Sequence, residues 1–348
     1  MKILLGMSGG VDSAFSAELL KAEGHDVEGA VLKMHEYTDV EGAKRAAEKA
    51  GVKLHIIDCA EAFEENVVSY FVSEYACGRT PSPCTVCNRT VKVAELIAYA
   101  DANGFDKVAT GHYARIGEQD GRFCVMDGAD EKKNQSYMLW ELTQEQIKKL
   151  ILPLGNMLKS DIKERAAQIG IMSAGKPESQ DICFLPNGGY AEFIEKRLGK
   201  FPEGNFVDAN GKALGRHKGI INYTVGQRRG LGIALGERMF VSDINAEDNT
   251  VTLQNASAEG SSFAFLTDMN YQLMSKEEAA MGEHDVLVKI RYAAKPAHAR
   301  LIIDENGAML RFDTPIKAVT PGQSAVMYRD GKILCGGRAG KHPAGSPR

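Results

Sequence analysis

Hydrophobic and polar positions in the first half of the chain alternate between the periods of strands and helices. The run KILLG (2–6) is apolar and passes at once into a glycine-rich loop. Residues 13–23 then follow helical spacing, with Ala14, Ala17, Leu19 and Leu20 on one side. DVEGAVLKM (26–34), VKLHIID (52–58) and DKVATG (106–111) predict further strands. Residues 40–50, closed by Gly51, and residues 61–76 and 89–103 predict helices. Strands alternating with helices imply a parallel sheet covered on both faces, a doubly wound α/β domain over residues 1–194.

From residue 200 the pattern changes. Gly and Pro punctuate FPEGNFVDANGKALGRHKG, and helical periodicity fades. Short alternating runs at 238–244, 250–254, 285–292 and 299–304 predict antiparallel strands. They divide into a small linking domain at 195–257 and a C-terminal β-barrel at 258–348. No internal repeat is present, and the tail GKHPAGSPR is expected to be disordered.

Composition excludes several classes. Of 348 residues, 44% are hydrophobic and 25% charged, which excludes wholesale disorder and collagen-like repeats. No apolar run approaches a membrane span. The N-terminus lacks a signal-peptide pattern, and seven cysteines are too few for a disulfide framework, so a reducing cytoplasm is expected. The net charge of −4 is unevenly spread: residues 286–348 carry +7, residues 195–232 carry +5, and the remainder −16. A basic later half predicts a polyanionic partner.

The loop Gly6-Met7-Ser8-Gly9-Gly10-Val11-Asp12-Ser13 lies between a strand and a helix. Its backbone N–H groups and the helix N-terminus form an anion cradle, and Ser8 and Ser13 add hydroxyls. Asp12 is out of place beside phosphates unless it holds Mg²⁺. The loop lacks the GK[ST] of a Walker loop and the spacing of a dinucleotide fingerprint. It matches the SGGxDS loop of enzymes that split ATP between its α and β phosphates.

Cys84 and Cys87 form a CxxC after two prolines, and Cys183 follows about a hundred residues later, in ESQDICFLP. With Asn88 beginning the next helix, Cys87 falls near a helix N-terminus with Arg79 and Arg89 close in sequence, which predicts a lowered thiol pKa. Zinc would need two more ligands than this single pair supplies, so reactive thiols are the preferred reading. Cys59, Cys77, Cys124 and Cys335 read as buried or incidental.

On these motifs the chain resembles the MnmA family, the tRNA-specific 2-thiouridylases. The matches run in order: GMSGGVDS (6–13), GRTPSPCTVCN (78–88), ATGHYAR (109–115), NQSYML (134–139), ICF (182–184), YTVGQRRGLGI (223–233), IRY (290–292) and AVTPGQSAVMY (318–328). The resemblance implies ATP bound on residues 6–13, Leu32 and Gly111. It implies adenylation of the 2-oxygen of the wobble uridine in the tRNAs for Lys, Glu and Gln. Sulfur would arrive as a persulfide on Cys183, loaded by a cysteine desulfurase or a relay protein. Cys87 would be its partner, releasing sulfide or resolving to a disulfide. Ser82, Pro83, Cys84, His112, Lys133, Asn134, Gln135, Arg291, Tyr292 and Gln323 match positions that contact tRNA. Arg228 and Arg229 suit phosphate contacts.

Three features depart from the family pattern. Cys84 stands where Asp is common, Asn134 replaces a commoner Asp, and the segment after Met34 is short. The extra thiol opens an alternative in which Cys84, Cys87 and Cys183 hold a 4Fe–4S cluster that carries sulfide. A small-molecule-adenylating ligase and a non-catalytic RNA- or Fe–S-binding scaffold are the remaining alternatives.

Overall fold

The computed structural model describes residues 1–171, 182–185, 189–233, 236, 238–255, 260–304, 307–317 and 319–341. The last residues of the tail, 342–348, lie outside the described residues. The first strands are β1 (Lys2–Gly6), β2 (Asp26–Lys33), β3 (Leu54–Asp58), β4 (Lys107–Ala109), β5 (Ala114–Gln119), β6 (Arg122–Asp127) and β7 (Leu150–Ile151). Five of them form a parallel sheet in the order β3-β2-β1-β4-β7. Ile3, Leu4 and Leu5 are fully buried, as a parallel strand covered on both faces requires.

Helices α1 (Val11–Ala22) and α2 (Val40–Ala50) pack against this sheet. α2 begins where the Asp39 side chain accepts from the Gly42 N–H and ends on Gly51 at φ +60°. The chain runs outward from β1 to β3, then returns to β4 on the other side of β1. The crevice at the C-terminal ends of β1 and β4 is therefore the topological switch point, where open α/β sheets bind ligands.

Two differences from the sequence expectation concern this half. The helix expected at 89–103 begins at Pro83, whose fixed φ and missing N–H suit the first helical position. It continues without a break through a π turn at Asn88–Lys92 to Ala102. The antiparallel hairpin β5–β6, which turns at Asp120 and Gly121 with positive φ at both, was not expected. It leaves the parallel sheet and pairs with the C-terminal barrel through Met126 and Lys332.

A second sheet comprises β8 (Gly204–Val207), β9 (Ala213–His217), β10 (Met239–Asn245) and β11 (Thr250–Asn255), in the order β10-β11-β8-β9. Its outer pairs are antiparallel and its central pair, β11–β8, is parallel. Six strands follow: β12 (Ser261–Tyr271), β13 (Glu283–Lys289), β14 (Ala297–Asp304), β15 (Gly307–Ile316), β16 (Ser324–Arg329) and β17 (Lys332–Ala339). Pairing of β12 with both β15 and β17 closes them into an antiparallel barrel around Leu266, Val288, Leu301, Leu310 and Met327. The strand expected at 285–292 stops at Lys289, so Arg291 and Tyr292 stand in the turn that follows.

The barrel is fastened to the first domain. Gly336 on β17 leaves the space that Trp140 fills; a β-carbon there would collide with the indole. The Thr80 N–H donates to the Pro321 carbonyl at 2.8 Å. The Gln323 amide donates to the carbonyls of Thr80 and Pro81 at 3.0 and 3.2 Å. These bonds hold the loop that leads into the cysteine helix.

Candidate active site

The loop 6–13 leaves the buried end of β1 and turns directly into α1. Gly9 sits at φ +80°, and a β-carbon there would lie 2.8 Å from the Gly42 backbone at the start of α2, so both backbone angle and space call for glycine. Gly10 is the N-cap of α1 and no side chain caps the first turn. The first-turn N–H groups thus remain available to an anion. The Ser13 hydroxyl donates to the Gly10 carbonyl and accepts from the Ser8 N–H, tying the loop to itself. Gly111, just after β4, backs the loop across the crevice: a β-carbon there would sit 3.5 Å from Asp12 and Ser13. Leu32 is near the end of β2, half-buried beside Met34. Residues 6–13, Leu32 and Gly111 all lie at the C-terminal ends of adjacent strands.

Asp12 does not stand open. Both its carboxylate oxygens accept from the Lys159 ammonium at 2.6 Å, and the Tyr113 hydroxyl donates to Oδ1 at 2.7 Å. A magnesium ion on Asp12 would have to displace Lys159, a residue the sequence pattern did not single out.

Cys84 is the second residue of the helix that begins at Pro83, and it is exposed. Cys87 lies one turn further in and is 4% exposed, in one apolar core with Cys59, Phe184 and Leu185. Its sulfur is 3.9 Å from the sulfur of Met34, which follows β2, so the thiol sits over the same sheet edge as the loop. The expected lowered thiol is overturned. Burial pushes Cys87 up to about 11, because a thiolate loses its hydration there. The expected arginines do not help: Arg79 is bound to Glu74 and Arg89 is exposed. The cation that does oppose burial is Lys92, at the end of the π turn.

Cys183 is exposed within the short described segment 182–185. Phe184 anchors that segment, edge-on to Phe63 at 5.6 Å and Phe71 at 5.3 Å. The protein packed beside the Cys183 thiol pushes its pKa up, and Lys92 draws it back. Burial lowers the Lys92 ammonium, but Cys87, Cys84 and Cys183 outweigh it and leave the lysine raised. The fold thus brings all three predicted cysteines within electrostatic reach of one cation. All seven cysteines are unpaired thiols. Among the described residues no three His, Cys, Asp or Glu side chains gather to hold a metal ion.

The positions expected to meet tRNA divide into two sets. Exposed Arg291 and Tyr292 stand beside the site, the Tyr292 ring 6.0 Å from that of Tyr137. His112 bonds Thr110 Oγ1 through Nδ1 at 2.8 Å; burial, with Lys92 nearby, depresses it to about 3 and keeps the imidazole neutral. Arg228 and Arg229 are exposed. The second set is engaged in the protein's own loops and helix starts. Ser82 is the N-cap residue and Pro83 the first residue of the cysteine helix. Asn134 donates to Asp127 and accepts from the N–H groups of Gly128 and Ser136. Gln135 accepts from the Tyr113 N–H at 2.9 Å, and the Lys133 N–H donates to Asp130. Gln323 braces the 80–81 loop as described above.

Comparison with known proteins agrees with this layout. Residues 1–187 match a family model described as a tRNA methyl transferase HUP domain. Residues 191–255 match its PRC-barrel domain, and residues 265–339 an aminomethyltransferase beta-barrel domain. The tRNA-specific 2-thiouridylase MnmA of Clostridium perfringens is 42% identical over 352 residues, 97% of each chain. That of Acetivibrio thermocellus is 42% identical over 355 residues, covering 97% of this chain and 98% of its own. That of Clostridioides difficile is 40% identical over 353 residues, 97% of each. With all three segments matched in order and relatives of this identity along nearly its full length, the chain belongs to the MnmA family, the tRNA-specific 2-thiouridylases.

Proposed function

We propose that this chain is an ATP-dependent tRNA sulfurtransferase that converts the wobble uridine of the tRNAs for Lys, Glu and Gln to 2-thiouridine. One observation carries the reading: a single end of the parallel sheet holds both the uncapped loop 6–13 and the three thiols around Lys92. Methyl transfer, the word in two of the family-model descriptions, would need neither feature.

ATP binds with its phosphates on the loop. The uridine leaves the anticodon stack to reach the site, as base-modifying enzymes require. Its 2-oxygen attacks the α-phosphorus, and the bond to pyrophosphate breaks. The carbonyl oxygen on C2, a poor leaving group, becomes part of AMP, a good one. Magnesium accompanying ATP would be held by Asp12 and would offset phosphate charge.

Cys183, exposed and anchored by Phe184, receives a persulfide from a cysteine desulfurase or a relay protein. In one course the terminal sulfur attacks C2 and AMP departs; Cys87 then attacks the Cys183 sulfur, freeing the thiolated base and leaving a Cys87–Cys183 disulfide for an external thiol to reduce. In the other, Cys87 attacks first and releases hydrosulfide, which attacks C2. Both courses need Cys87 as thiolate, and Lys92 is the residue placed to favour it.

The test uses purified protein, unmodified tRNA, ATP and a persulfide donor. Cys183→Ser loses 2-thiouridine while keeping tRNA-dependent AMP release. Undiminished thiolation by that variant removes Cys183 from the reaction. Iron and acid-labile sulfide measured on anaerobically purified protein test the cluster alternative.

A further inference from the structure

The nucleotide loop 6–13 contains no Lys or Arg. It does contain an acid, Asp12, at the first turn of α1. A triphosphate laid on this loop would meet that carboxylate unless a cation were supplied from elsewhere in the chain. The structure supplies one.

Lys159 opens the helix Lys159–Gln168. Ile162 and Ala166 of that helix are buried in the same core as Ala14 and Phe15 of α1, and Arg165 lies 5.5 Å from the Phe15 ring. Asp130 fixes its start by accepting the Lys159 backbone N–H at 2.9 Å. The lysine is only 9% exposed, and its ammonium reaches both oxygens of Asp12. The contact bridges 147 residues of sequence, so it is set by packing rather than by local chain geometry. Tyr113 holds Asp12 independently through its hydroxyl, and its ring lies 5.3 Å from the Lys159 ammonium. If the lysine moves, the carboxylate keeps one partner.

We propose that Lys159 is a phosphate-binding residue of the nucleotide site, stored on Asp12 in the empty protein and transferred to the β and γ phosphates when ATP binds. The exchange keeps charges matched at each stage. Without nucleotide, Asp12 and Lys159 neutralise each other. With nucleotide, the lysine meets the polyphosphate and Asp12 is released to the accompanying magnesium ion. In the reaction, negative charge builds on pyrophosphate as the bond to the α-phosphorus breaks, and an ammonium there stabilises the leaving group.

This inference rests on the reading that ATP binds at residues 6–13, and its test separates the two. ATP and AMP binding are measured by calorimetry, with magnesium present and no tRNA, on the wild type and on Lys159→Met and Lys159→Arg. Lys159→Met is expected to weaken ATP by about 10- to 100-fold, the worth of a charged hydrogen bond, and AMP by less than about threefold. Lys159→Arg recovers most of the ATP affinity. Asp12→Asn combined with Lys159→Met leaves no unpaired carboxylate; it too loses the preference for ATP over AMP, which rules out simple repulsion by Asp12. Equal losses for ATP and AMP, or unchanged ATP affinity in Lys159→Met, overturn the proposal. A wild type that binds neither nucleotide overturns the ATP reading itself.

Discussion

Replacing Arg338 by Met tests how firmly the barrel holds the cysteine helix. Arg338, on β17, donates to both oxygens of Glu141 at 3.2 and 3.3 Å, and its guanidinium lies 4.6 Å from the Tyr70 ring. The Glu141 side chain is only 4% exposed. Its other partner is the hydroxyl of Thr85, at 2.7 Å, between the two cysteines of the CxxC. At 3.2 Å and an effective dielectric near 20, the charge attraction is about 5 kcal/mol, much of it offset by the water both groups have lost. Removing the arginine leaves a buried carboxylate with one neutral donor. Loss of one partner of a buried pair costs about 3–5 kcal/mol, and the surviving Thr85 bond places this case near 3. If that cost falls on local opening of the 83–87 turn, Cys87 is exposed about a hundredfold more often. The assay is alkylation of the native protein, with the Cys87 peptide followed by mass spectrometry. Glu141→Gln combined with Arg338→Met leaves no buried charge and is expected to label more slowly than Arg338→Met alone. Cys87 labelling within threefold of wild type in Arg338→Met would falsify the coupling, as would a double variant that labels faster than the single one.

Two further outcomes follow from charges at the sheet. Lys92→Met removes the cation that opposes burial at Cys87, so the pH midpoint of Cys87 alkylation moves above its value of about 11, and the rate at neutral pH falls about tenfold per unit; an unmoved midpoint shows that Lys92 does not act on the thiol. Glu28, bonded to His55 at 2.6 Å, partly buried and beside Lys2 and Lys53, is lowered from 4.5 to about 2. Its depressed folded value means it stabilises the protein above pH 4.5 and loses that effect as the pH falls toward 2. Thermal midpoints of Glu28→Gln should therefore lie below wild type at pH 6 and converge with it through that window; a constant gap across it contradicts the assignment.

Local patterns in the sequence showed the parallel sheet well. The apolar run 2–6, the alanine face of 40–50 and the closing Gly51 each became the element they predict, because each is specified by neighbours in the chain. The β5–β6 hairpin was missed although Asp120–Gly121 carries the signal of a tight hairpin turn; its destination, the barrel more than 200 residues later, has no local signature. The cysteine helix starts before the expected Asn88 because Pro83, with its fixed φ and missing N–H, opens it. Lys92 escaped notice for a geometric reason. Five residues after Cys87, it falls off the thiol's face in an α-helix, and it is the intervening π turn that changes this spacing. Lys159 and the Glu141–Arg338 pair depend on contacts across 147 and 197 residues, which spacing rules do not reach.

The position of Cys87 bears on why the barrel belongs to the site. A thiol raised by burial is a poor nucleophile at rest, which protects it from oxidation and from wasteful attack on stray disulfides. Attack by Cys87 in the proposed sulfur transfer needs its thiolate, which Lys92 favours against burial. The helix that carries it is held from the barrel side by Gln323 on the 80–81 carbonyls, by Pro321 on Thr80, and by Arg338 through Glu141 to Thr85. The barrel also carries Tyr292, whose ring lies 6.0 Å from Tyr137, and the Tyr137 hydroxyl donates to Ser324, next to Gln323. The turn that carries Tyr292 and the brace on the cysteine helix thus meet in one set of packed residues. A barrel severed from the chain would take away both, leaving a nucleotide site whose thiol turn had lost its outer wall.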